Sequence, residues 1–110
     1  MSTYNIAADF TQFPGFRYRE HSEGSGQEFR EDVLLDFMRA GAKVVIDLGG
    51  TSGYPSSFLE EAFGGLVRAG YTADQVRNVI TLSAPPSYQH YVDMAWEYVD
   101  KAERVRRSGK

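Results

Sequence analysis

The chain has 110 residues, 42% of them hydrophobic, enough for one core and too few for two, so a single domain over 1–110 is expected. A net charge of −3, with Lys and Arg scattered up to residue 101, offers no basic face for nucleic acid, and the longest aliphatic run, 44–46, is far too short to cross a bilayer. The absence of cysteine excludes disulfides, thiolate metal sites and cysteine nucleophiles; with no cationic region and apolar run at 1–5, a cytoplasmic location is expected.

Tyr4, Ile6, Ala8 and Phe10 alternate with Asn5, Ala7 and Asp9 in the period of a half-buried strand, and Phe16 and Tyr18 alternate with Arg17 and Arg19. Pro14-Gly15 between these runs suits a type II turn, so an N-terminal antiparallel hairpin is predicted. Ser25 and Glu28 then form a capping box that opens a helix over about 26–40. Its Phe29, Val33, Leu34, Phe37 and Met38 share one side, and Gly41 stands where a left-handed cap ends a helix.

Residues 43–48, Lys-Val-Val-Ile-Asp-Leu, are β-branched on both faces, the pattern of a central strand covered on both sides. After a glycine-serine loop, Ser57 and Glu60 form a second capping box, and Leu59, Ala62, Phe63, Leu66 and Val67 make a core stripe up to Gly70. Gly64-Gly65 inside that helix costs about 2 kcal/mol of propensity relative to alanine, so a close packing approach is expected to compensate. Residues 78–82 repeat the strand pattern, Ala84-Pro85-Pro86 breaks it, and Ser87 is placed to cap a last helix to about Arg104. That helix turns Tyr88, Tyr91, Val92, Ala95, Val99 and Ala102 inward, with Trp96 and Tyr98 off the stripe. The basic tail, 103–110, carries Arg104, Arg106, Arg107 and Lys110 against one acid and reads as a solvated helix end. The expectation is an α/β fold with about four strands in a mixed sheet, an N-terminal hairpin and three helices. Parallel crossovers place the loops after Leu48 and Leu82 on one edge.

Ligands and partners of open α/β sheets meet the carboxyl ends of the strands. The candidate partner- or anion-binding residues there are Gly49, Gly50, Thr51, Ser52, Gly53, Tyr54, Ser56 and Ser57: glycines for tight turns, hydroxyls for hydrogen bonds, and a helix start whose dipole suits an anion. Neither Gly-Lys-Ser/Thr nor Gly-x-Gly-x-x-Gly nor Gly-x-Ser-x-Gly occurs in this loop. His21 and His90 make no metal motif and are not expected at this edge. Glu31-Asp32 and Glu60-Glu61 are adjacent in helices and should diverge. No catalytic group, metal or cofactor is expected. On local grounds alone, Ser57 is a helix cap, Tyr54 a cover over the core and Pro55 a rigid lead-in to the helix.

Three stretches resemble a family: Gly24-Ser25-Gly26-Gln27-Glu28-Phe29-Arg30, then Val44-Val45-Ile46-Asp47, then the run from Ser56-Ser57-Phe58-Leu59 through Gly64-Gly65-Leu66. Together they resemble the bacterial STAS-like domain family of unknown function, related in fold to the anti-sigma-factor antagonists. The resemblance implies a non-enzymatic regulatory module that binds a protein partner, such as a histidine-kinase-like ATPase, and is switched by phosphorylation at Ser57 or Ser56. The alternative is a small-ligand or nucleotide module using the same loop. A phosphate at the helix start would gain from the dipole, with repulsion from Glu60 and Glu61 expected to oppose it.

Overall fold

The computed structural model describes residues 2–109; Met1 and Lys110, the last cation of the expected tail, lie outside them. In chain order come β1 (Ser2–Asn5), α1 (Ile6–Asp9), α2 (26–40), β2 (Val44–Asp47), α3 (56–68), α4 (Ala73–Val79) and β3 (Ile80–Ser83). A 3₁₀ turn over Pro86–Tyr88 leads into α5 (Gln89–Ser108).

The sheet is three-stranded and wholly parallel, in the order β1-β2-β3. This corrects the expected four-stranded mixed sheet with an N-terminal hairpin. The alternating run from Tyr4 stops at Asn5, because the Asn5 side-chain oxygen accepts the Ala8 N–H at 2.8 Å and starts a helical turn instead. The second expected strand is not formed either. The carbonyls of Phe16 and Arg17 accept N–H groups of Gly26 and Gln27 at 2.9 and 3.0 Å, so that segment caps α2 and pairs with no strand.

Among the described residues there are five helices where three were expected. Besides α1, the addition is α4, which occupies 78–79 of the expected fourth strand and opens with a reciprocal capping box between Thr72 and Gln75. The strand itself starts only at Ile80. The last helix also begins differently, since Ser87 is exposed within the 3₁₀ turn and Tyr88 stands at the helix start without a side-chain cap. The tail is exposed as expected from Arg104 on and helical through Ser108, whereas Glu103, its first residue, is buried and accepts the Ala73 N–H at 2.9 Å.

Register explains which face of the sheet is buried. Tyr4, Ile46 and Leu82 stand opposite one another, as do Val44 and Ile80, and this side packs against the helices. The other row leaves Thr3 and Thr81 exposed and Val45 half-buried, so β2 is covered on one side and not two. Apolar material is concentrated instead around α3, where every residue from 61 to 67 is buried. Phe29 of α2 stacks on Phe58 of α3 with ring centroids 5.9 Å apart and meets Phe63 edge-on. Each such fully buried phenylalanine contributes about 2 to 3 kcal/mol.

Helices α2 and α3 both widen into a π turn, over Arg30–Leu34 and Glu60–Gly64, where they pack together. Glycines allow the approach. A Cβ on Gly26 would stand 2.5 Å from the Phe58 carbonyl oxygen, one on Gly65 2.6 Å from Arg30 Nη1, and one on Gly64 3.3 Å from the Tyr98 carbonyl. The propensity lost at Gly64-Gly65 is thus exchanged for close contact with α2 and α5.

Candidate functional site: the carboxyl edge and the start of α3

Parallel strands end in register at Asn5, Asp47 and Ser83, and the loop 49–55 rises from this edge. Its backbone is tied on every side. Asp47 Oδ1 accepts the Gly49 N–H at 2.9 Å, Asn5 Nδ2 donates to the Gly49 carbonyl at 3.2 Å, and Ser52 N–H donates to the Gln12 carbonyl at 2.8 Å. Thr51 Oγ1 accepts the Gly53 N–H at 3.2 Å, while the Tyr88 hydroxyl donates to the Thr51 carbonyl. Gly53 takes φ +112, and a Cβ there would lie 2.9 Å from the Tyr91 hydroxyl, so the position admits little but glycine.

Tyr54 is buried and donates its hydroxyl to the Leu48 carbonyl at 2.7 Å. Burial pushes its phenol above the usual tyrosine range, outweighing the hydrogen bond with Thr51. The ring belongs to an edge-to-face cluster with Tyr88 and Tyr91. Tyr54 therefore covers the core, as its loop position suggested. Of the eight candidate residues, Gly49, Thr51 and Tyr54 are buried, Gly53 and Ser57 half-buried, and Gly50, Ser52 and Ser56 exposed.

The start of α3 departs from expectation. Pro55 is its N-cap, the helix begins at Ser56, and no side chain caps it. Ser57 is the second helical residue, so its predicted capping box with Glu60 does not form. The Phe58 N–H turns back to the Pro55 carbonyl at 3.0 Å, and the N–H groups of Ser56 and Ser57 have no acceptor among the described residues. Two donors without an internal acceptor, two serine side chains, Ser56 exposed and Ser57 half-buried, and the positive end of a helix thus come together.

Glu60 and Glu61 were expected to diverge; instead Arg17 reaches both carboxylates. Arg68 holds Glu60 at 2.7 and 3.0 Å. Arg30 pairs with the Glu61 carboxylate and also donates to the Glu61 carbonyl at 3.0 Å, within the π turn. Burial would raise the Glu60 carboxyl, but hydrogen bonds from Arg68 and Arg17 leave it lowered. The two acids are neutralised in place, which weakens the repulsion expected against an anion at the helix start. A cleft of about 320 Å³ opens beside this cluster, between Arg17, Glu60 and Arg68 on one side and Tyr98, Lys101, Ala102 and Val105 on the other.

Sequence reasoning missed Arg17, Arg30 and Arg68. Arg17 lay in a run read as strand, and the available signal was Gly65, whose missing side chain makes the room that Arg30 fills. Of the two aromatics placed off the α5 stripe, Trp96 lies under the Arg77 guanidinium at 4.6 Å and Tyr98 lines the cleft. His90 sits in the first turn of α5 and in no loop, exposed and against the Tyr91 ring at 4.0 Å. Among the described residues no His, Asp and Glu side chains converge to hold a metal ion, and no helix is long and apolar enough to cross a membrane.

A small α/β domain with a parallel sheet, a tied glycine loop and an uncapped helix start at the carboxyl edge is the class that fold and site define. Residues 25–85, more than half of the chain, match the family described as STAS-like domain of unknown function (DUF4325), and the chain belongs to that family. No curated protein and no solved structure matches it.

Proposed function

We propose that the protein is a non-enzymatic regulatory module that binds a protein partner through the accessible part of the carboxyl edge, the exposed Gly50, Ser52 and Ser56 and the half-buried Ser57, and the helix behind it. The observation that carries this reading is the start of α3: rigidly placed, uncapped, with free N–H groups beside two serine hydroxyls. The loop before it is held by internal bonds at Gly49, Thr51, Gly53 and the Ser52 N–H, so the start of α3 is a part of the edge left for an outside group. Family membership supports the reading, because the related antagonists carry their phosphorylated serine at the corresponding strand-to-helix junction. On that resemblance the partner is a histidine-kinase-like ATPase and the modified residue is Ser57 or Ser56.

Mixing the full chain with ATP and the ATPase encoded nearest its gene tests the reading. Complex formation by light scattering, together with a mass gain of one phosphoryl group that a Ser56→Ala, Ser57→Ala double variant loses, supports it. No complex with such an ATPase counts decisively against it.

A second reading has one observation in its favour, since the two free N–H groups would also receive the phosphate of a small ligand. A bound nucleotide or phosphate would raise the melting temperature of the isolated chain, with a stabilisation that grows as the logarithm of its excess over Kd. A flat response across a nucleotide panel removes this reading.

A further inference from the structure

The cleft beside the α3 ion pairs lies at the far end of that helix from its open start. Arg68 is the last residue of α3, twelve positions beyond Ser56 and so about 18 Å along the helix axis. The two walls of the cleft differ in chemistry. On α5, Tyr98, Ala102 and Val105 follow at spacings of four and three and form one apolar stripe. Val105 is 62% exposed and Tyr98 only half-buried, so the stripe runs on from the core into the open cleft. Across from it stand Arg17 and Arg68, joined through Glu60, and the exposed Lys101 adds a third cation from α5.

Three cations thus line the cleft against one carboxylate, a surplus of two positive charges in a chain whose net charge is −3. The surrounding acids do not cancel it. Glu61 is matched by Arg30, and in the adjoining groove Asp100 is held by Arg77 while Glu97 is balanced by Arg104. Arg17 spends Nη1 on both glutamates and Arg68 spends Nη1 and Nη2, which leaves Arg17 Nε and Nη2, Arg68 Nε and Lys101 Nζ with no acceptor among the described residues. No buried side-chain nitrogen or oxygen among these residues lacks a partner, so the free donors are open to solvent.

We propose that this cleft binds a small doubly charged anion that carries an apolar group, of the class of aromatic phosphate monoesters and dicarboxylates. The anionic head takes the free donors of Arg17, Arg68 and Lys101, and the apolar body covers Tyr98 and Val105. Glu60 stays with Arg68 and fixes its guanidinium for the ligand. A volume of about 320 Å³ suits a small ligand, and the surplus charge matches that of the head. The site is separate from the start of α3 and requires no protein partner.

Titration of the ¹⁵N-labelled full chain with phenyl phosphate at about pH 8, where the monoester is doubly ionised, tests this. Saturable shifts are expected in the backbone amides of Tyr98, Lys101 and Val105, with a dissociation constant about tenfold below that of inorganic phosphate, which has no apolar body. Phenylsuccinate, a dicarboxylate with the same ring, separates the two head groups: the tighter ligand names the class, and absence of saturable shifts from both overturns the proposal. Lys101→Gln should weaken phenyl phosphate about tenfold at an unchanged melting temperature, since Lys101 holds no partner among the described residues, and Val105→Ser should reduce the preference over inorganic phosphate. Unchanged affinity in Lys101→Gln overturns the proposal. Shifts confined to Ser56 and Ser57 overturn it as well, and place the anion at the start of α3 instead.

Discussion

Helices α2 and α3 pack against each other, yet they begin in opposite ways. At α2 the first N–H groups go to the Phe16 carbonyl, the Arg17 carbonyl and the Ser25 hydroxyl, with Ser25 fully buried. At α3 the cap is a proline without a donor or a side-chain acceptor, and the first two N–H groups have no acceptor among the described residues. The first arrangement holds the fold together. The second leaves interaction capacity unspent at the place where the sheet presents its edge. A helix start is a structural joint when its donors are satisfied internally, and a candidate for recognition when a rigid frame leaves them open.

The largest effect is expected where the two helices are joined. Arg30→Met removes the cation from the buried Glu61 pair and should cost about 3 kcal/mol, read as a lower urea midpoint at unchanged slope. Gly26→Ala pushes a methyl group into the Phe58 backbone and should cost about 2 kcal/mol by the same measurement.

Ser25→Ala removes the buried cap of α2 and should cost about 1 to 2 kcal/mol, whereas Ser57→Ala, which removes no cap, should stay within about 0.5 kcal/mol of the native chain. A large loss at Ser57 would break the contrast between the two starts.

A third start, that of α4, sharpens the contrast through pH. Glu103 accepts hydrogen bonds from Arg106 and from the Ala73 N–H, which together lower its carboxyl to about 2 from an ordinary 4.5. A lowered folded pKa means stability that is fully present above about pH 4.5 and lost as pH falls toward about 2. The melting temperature should therefore fall with acid in that window, and Glu103→Gln should flatten that part of the decline.

Legibility in the sequence followed the range of the interactions. The α2 boundaries, the Gly41 cap and the α3 stripe were readable because each depends on residues within a turn or two. The N-terminal hairpin failed for a local reason of another kind. Asn5 can hydrogen-bond its own downstream backbone, and that competes with the alternation that suggested a longer strand. α4 carried a readable capping box at Thr72 and Gln75 that the apolar pattern of 78–82 overshadowed. At the site, the residues of the glycine loop were legible as a group, but which of them face solvent was not. Burial of Thr51 and Tyr54 depends on Tyr88 and Tyr91, which lie far along the chain.

By itself the sequence determined the α/β class, the core of α2, β2 and α3, and the place of the glycine loop after β2, because local periodicity suffices for these, and it carried the family in the likeness of three stretches. Tertiary structure decided that all three strands run parallel, that one face of the sheet stays partly open and that Ser57 caps nothing. It also gathered Arg17, Arg30 and Arg68 around Glu60 and Glu61. These depend on which distant segments meet, and a guanidinium finds its carboxylate only after the helices have packed.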